Sequence, residues 1–187
     1  MIEFAAKFSE GLSYDAFLQR HGEPQHRERW QALFDEVRPA DAQRALLESF
    51  VREMKVLCLA GAWCGDCVQQ CPIFEHFARI NSRIAVRYFD RDTHPELAAE
   101  LKVCGGERVP VLVFLSEDDY EVARFGARTL GKYPAMAAEQ LGAACPTGIG
   151  APHRPLLDAV IQEWLDVFER VQLILRTSGR LREKHGD

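Results

Sequence analysis

Val56-Leu57-Cys58-Leu59-Ala60-Gly61-Ala62-Trp63-Cys64-Gly65-Asp66-Cys67 is the stretch on which the reading of this chain turns. Val56 to Leu59 is a short apolar run with β-compatible residues, and Gly61 after it suits a buried strand that runs into a loop. From Cys64 the period becomes that of a helix reaching Asn81, with Ile73, Phe74, Phe77 and Ile80 on its core side and Pro72 predicted to kink it. Two thiols therefore stand where a strand hands over to a helix N-terminus, spaced to close a small ring disulfide or to open to a dithiol. The helix dipole and the free backbone N–H groups at that end favour thiolate, which predicts a Cys64 pKa below the ~8.5 of an isolated thiol. Cys64 is the expected nucleophile, and Cys67, one turn in, the expected resolving thiol.

Working outward, the first fifty residues read as helical. Ser13 caps a short helix over Tyr14 to Leu18, ended by Gly22 and Pro24; a second covers Glu28 to Val37, and a third Ala40 to Glu53. Beyond the thiol helix come a strand at Ile84 to Phe89, a short helix at Pro95 to Val103, and strands at Val109 to Leu115 and Tyr120 to Phe125. Gly126 breaks the last of these, and a helix follows from Leu130 to Leu141. The order β-α-β-α-β-β-α predicts an α/β unit over residues 55–141, preceded by a helical extension (1–54) and followed by a linker and an amphipathic C-terminal helix (142–187). The apolar stripe of that last helix is wider than one core contact requires. Two readings stand: it wraps the α/β core, or part of it is a homodimer or partner surface.

Composition narrows the function classes. Twenty-eight acidic against 23 basic residues, net charge -5, with no basic run, argue against nucleic acid or anionic lipid as the main partner. The longest mostly apolar uncharged run, Val56 to Gly65, is far short of the ~20 residues of a membrane span. The N-terminus lacks the layout of a secretory signal, so the chain reads as cytoplasmic, where thiols stay reduced. Six cysteines in such a chain are too sparse for a disulfide scaffold and too clustered for background.

The chain resembles the thioredoxin superfamily over roughly Lys55 to Leu141. The residues that carry the resemblance are Ala62-Trp63-Cys64-Gly65-x-Cys67, Pro72 after the second cysteine, Asp92-x-x-Pro95, Arg108-Val109-Pro110, and Gly126 closing the last strand. The resemblance implies a thioredoxin-like fold, a central mixed sheet flanked by helices. It also implies a cis Val109–Pro110 bond facing the two thiols, with the Val109 backbone pairing with a bound substrate chain. Trp63, Val109 and Pro110 then form the apolar platform that docks it. With its two helical extensions the layout looks like a bacterial thioredoxin-like family of about this length.

Three departures stand out. Where thioredoxin keeps a buried aspartate, six residues before the first cysteine, this chain has Cys58, so the proton acceptor for Cys67 is open. The usual Pro between the cysteines is Asp66: one reading is a carboxylate tuning the thiolate by repulsion, the other an ordinary acidic residue of a helix's first turn. The loop before Pro110 is long, Val103-Cys104-Gly105-Gly106-Glu107-Arg108, and Cys104 in it is either a third redox thiol or an incidental turn residue. Cys71 admits a metal reading with Cys64, Cys67 and a fourth ligand from Cys104 or Cys58, against plain packing of Cys71 and Cys58. Cys145 has no assigned role, and the six histidines form no site in sequence.

The expectation is a thiol–disulfide oxidoreductase that reduces or exchanges protein disulfides through Cys64 and Cys67. Gly65, Asp66, Cys58 and Cys104 tune or assist, a reductase or small thiol supplies electrons, and no cofactor is called for. The alternatives are a metal- or cluster-binding protein and a non-catalytic interaction module. Arg108-Val109-Pro110 in place of the Thr-Val-Pro of glutaredoxins speaks against glutathione-dependent chemistry.

Overall fold

The apolar run around Cys58 becomes the centre of a four-stranded sheet in the order β2-β1-β3-β4. The structure, a computed structural model, describes residues 2–134, 136, 137 and 156–187. Strands are β1 (Met54–Ala60), β2 (Ile84–Asp90), β3 (Val111–Ser116) and β4 (Glu121–Gly126). β1 runs parallel to β2, pairing Cys58 with Tyr88, and antiparallel to β3, pairing Cys58 with Leu112. β4 pairs antiparallel with β3. β1 and β3 carry buried residues on both faces, which explains why they read as near-continuous apolar runs.

The helices are α1 (Phe4–Phe8), α2 (Tyr14–His21), α3 (Pro24–Glu36), α4 (Asp41–Glu48), α5 (Gly65–Ile80), α6 (Pro95–Glu100), α7 (Leu156–Thr177) and α8 (Gly179–His185). The expected β-α-β-α-β-β order holds, with helical additions at both ends. α1 falls within the expected helical extension, ahead of its first individually expected helix. α3 starts earlier than its apolar spacing suggested, because Pro24 occupies the first turn and Glu23 and His26 bond each other's backbone as a cap. The helix expected to run through Glu53 stops at Glu48; the backbone N–H groups of Val51 and Arg52 instead donate to Oε1 of Gln172 on α7, and Met54 opens β1. Val109 and Pro110 precede β3 rather than belonging to it. The helix expected from Leu130 begins as a 3₁₀ turn, Leu130–Lys132, and the linker with Cys145 lies outside the described residues.

Side chains from both extensions enter the same apolar core as the sheet: Phe17, Trp30 and Leu47 from the N-terminal helices, Trp164, Phe168 and Leu181 from the C-terminal ones. Trp164 packs edge-on against Phe74 of α5 and Phe125 of β4, and Phe168 against Phe77 and Phe114. Among the described residues, no helix is long and apolar enough to cross a membrane.

Candidate dithiol site

β1 ends at Ala60, the chain turns through Gly61 to Trp63, and Cys64 occupies the N-cap position of α5. Gly61 has a steric reason to be there, since a Cβ at that position would lie 2.8 Å from Cε2 of Trp63. Trp63 lies across it with 41% of its surface exposed, and the guanidinium of Arg91 sits over its ring. The loop is held from outside the α/β unit: the buried Nε1–H of Trp30 on α3 donates to the Ala62 carbonyl at 2.8 Å. The helix behind it is held likewise. Gln70 of α5 donates to the carbonyls of Asp66 and Ala127 and accepts at 3.0 Å from Nε1 of Trp164 on α7. Neither tie has a local sequence signal; the only hint is that a buried indole N–H requires an acceptor.

The Val109–Pro110 bond is cis, and the Cys64 thiol points at the Val109 carbonyl, Sγ to O 3.7 Å. Cys64 is half-buried; Cys67 is fully buried behind it, and the Gly61 N–H donates to its Sγ at 3.4 Å. Trp63 is thus exposed and Cys64 partly so, while Cys67, Val109 and Pro110 are buried. Gly65 opens α5 on the side of Arg29, whose Nη2 is 3.9 Å from where its Cβ would stand.

The charge distribution differs from the expectation. Burial pushes the Cys67 thiol up, but hydrogen bonds from Cys64, from Cys71 and from the Gly61 amide outweigh it and bring it down to about 5. Cys64 is pushed up instead, first by its hydrogen bond with Cys67 and then by burial. The two thiols share a hydrogen bond and titrate as one pair, whose first proton leaves readily and whose second is retained. The expected lowering of Cys64 alone is corrected to that extent: the amide and thiol donors converge on Cys67.

Asp66 is no isolated anion beside the thiols. Its carboxylate bonds Nζ of Lys132 at 2.6 Å and Nη2 of Arg128 at 2.5 Å. Burial raises its carboxyl pKa, but the two cations outweigh that and leave it below the usual carboxylate value. The simple picture of an uncompensated negative charge repelling the thiolate is replaced by a compact triad of one anion and two cations.

Cys58, at the position of the missing aspartate, is fully buried on β1, with Sγ 3.9 Å from Sγ of Cys71. Burial raises the pKa of both thiols. On α5 the cysteines lead from the partly exposed Cys64 to the buried Cys67 and, one turn on, to the buried Cys71, against which Cys58 of β1 packs. Among the described residues no group of three or more His, Cys, Asp or Glu side chains is disposed to hold a metal ion. Cys104 is exposed at the tip of a tight turn; it and Gly105 have φ of 50° and 75°, and Val103 and Gly106 exchange both backbone hydrogen bonds. It borders a cleft of about 250 Å³ shared with Arg108, Arg128 and Tyr133. His76 is held by the Phe34 carbonyl and stacked on the Phe34 ring, away from the thiols.

A mixed sheet with a two-cysteine helix N-terminus and a cis-proline opposite defines a protein of the thioredoxin fold. A thioredoxin family model matches residues 11–139, and the chain belongs to that family. Membership supports a redox-type function in general terms. Among solved structures, a protein of unknown function from Pseudomonas aeruginosa is 20% identical, with a TM-score of 0.70 over 91% of this chain and 99% of its own. An HIV epitope-scaffold is 18% identical, with a TM-score of 0.67 over 90% of this chain and 99% of its own. Both likenesses show the fold, including the helical ends. Fasciola hepatica thioredoxin, 24% identical, has a TM-score of 0.36 over 51% of this chain and 88% of its own. No curated protein matches the chain.

Proposed function

We propose that the protein is a thiol–disulfide oxidoreductase acting on protein disulfides through Cys64 and Cys67. The observation that carries this reading is the partly exposed Cys64, whose Sγ faces the Val109 carbonyl, backed by a fully buried Cys67 on the same helix. Only the outer sulfur is open to a substrate. Cys64 gives its proton to Cys67 through their hydrogen bond, and with Cys58 in place of a carboxylate the proton that Cys67 sheds on its own attack goes to the departing substrate thiolate. The Cys64 thiolate then attacks a substrate disulfide, forming a mixed disulfide and releasing one substrate thiol. Cys67 attacks Cys64, releases the second substrate thiol and leaves the 64–67 disulfide. The substrate gains two electrons, and a reductase or small thiol in a reducing compartment such as the cytoplasm restores the dithiol. Trp63 and the Val109–Pro110 segment supply the apolar and backbone surface on which a substrate chain lies.

Reduction of insulin disulfides by the wild-type protein with a small dithiol as electron source tests the proposal. Cys64→Ser is expected to abolish turnover, and Cys67→Ser to accumulate the mixed disulfide. Activity that survives Cys64→Ser overturns it.

A further inference from the structure

Cys58 and Cys71 are left over by this mechanism. Neither has any exposed surface, and their sulfurs face each other at 3.9 Å between the central strand and the thiol helix. Both neighbours of Cys58 across the sheet, Tyr88 and Leu112, are buried, and the Tyr88 hydroxyl is taken up by the Cys71 carbonyl. The pair has no path to solvent of its own. Its link to the rest of the sulfur chemistry is Cys67, which stands one helical turn before Cys71 on α5 and is likewise fully buried.

We propose that Cys58 and Cys71 are a second dithiol, oxidised internally by the Cys64–Cys67 disulfide. The inference rests on the proposed exchange chemistry, which supplies that disulfide. In the first step the Cys71 sulfur bonds to Sγ of Cys67 and the 64–67 bond breaks. Cys64 leaves with the electron pair and takes up the proton that Cys71 gives up. In the second step the Cys58 sulfur bonds to Cys71 and the 67–71 bond breaks. Cys67 leaves with the electron pair and the proton of Cys58. The net result is a 58–71 disulfide and a regenerated Cys64–Cys67 dithiol, with two electrons and two protons moved outward. Closing the pair from 3.9 Å to a bonded separation of about 2 Å asks for side-chain rotation in both cysteines. The outer pair is then free to reduce a second disulfide before any external reductant is met, so one molecule delivers four electrons rather than two. Packing alone, as small apolar residues, would leave these two thiols inert to every oxidant that acts through Cys67.

The test uses the full wild-type chain, fully reduced and then exposed to excess cystamine, a small aliphatic disulfide. The reaction is stopped with acid, free thiols are blocked under denaturing conditions, and the peptides are mapped by mass spectrometry. Two disulfides, 64–67 and 58–71, are expected, with all four thiols consumed. In Cys67→Ser, Cys58 and Cys71 are both expected to remain free while Cys64 carries the cystamine adduct. A wild-type protein that forms 64–67 but keeps Cys58 and Cys71 as thiols overturns the inference and leaves the proposed function standing. A 58–71 disulfide that forms equally in Cys67→Ser overturns the internal route. If 64–67 itself does not form, the proposed function falls and this inference with it. The wild-type measurement needs no substitution, so it decides even if a variant fails to fold.

Discussion

Asp66→Asn removes one negative charge from between the two thiols and leaves Lys132 and Arg128 without their anion. Side-chain charges on neighbouring helical residues lie roughly 7 Å apart, and at that separation a unit charge is worth about 0.6 kcal/mol in water and about 2.4 kcal/mol at an effective dielectric near 20. At about 1.4 kcal/mol per unit, that is a shift of roughly 0.4 to 1.7 pKa units. The Asp66 side chain retains 19% exposure, so the lower half of the range applies. The sign is fixed, because losing a negative charge favours the thiolate while Lys132 and Arg128 keep their charges. The pair's first deprotonation is therefore expected to move down by about 0.5 to 1 unit. The assay is the pH dependence of thiolate ultraviolet absorbance, checked against the rate of Cys64 alkylation. An unchanged or raised midpoint in a folded Asp66→Asn protein would refute the electrostatic account and leave Asp66 as a helix-starting residue only. Folding stability should fall as well, by about 1–3 kcal/mol, since the nearly buried Lys132 loses a partner.

Two further outcomes follow from the same geometry. Trp30→Phe orphans the buried Ala62 carbonyl and shrinks a fully buried ring, which should cost about 2–4 kcal/mol in urea unfolding and alter the Cys64 alkylation rate; a loss under about 0.5 kcal/mol would dismiss the tie. His21 and His76 both have pKa values held below the ordinary 6.5, chiefly by burial, so each is neutral when folded while the unfolded chain takes up protons below that pH. Their stabilising contribution is complete above pH 6.5 and lost as pH falls toward their folded values. The urea midpoint should therefore drop across that window in the wild type, and less in His21→Asn/His76→Asn; equal drops would count against the assignment.

What the sequence carried legibly was local. The apolar run at Val56, the glycine after it and the two thiols at a helix start announce strand, loop and redox helix within a dozen residues, and Pro110 before an apolar run marks the β3 entry. The contacts that complete the site join residues far apart in the chain: Trp30 to Ala62, Lys132 to Asp66, Trp164 to Gln70. No periodicity records such pairings, because each depends on which faces meet after packing. The same is true of Cys58 and Cys71, which sequence places on a strand and a helix without saying that they touch. Helix ends fared worst for the same reason: α4 stops where a glutamine on α7 offers a better partner for the backbone than another helical turn.

The placement of the indoles also has an optical consequence. The chain contains three tryptophans. One is Trp63 itself, the second bonds the loop at Ala62, and the third bonds the thiol helix at Gln70. Every strongly fluorescent side chain is therefore wired to the segment whose sulfurs change oxidation state, and none reports on a remote part of the fold. Because a nearby disulfide quenches indole emission, the unlabelled protein should carry its own light signal for each turn of the redox cycle.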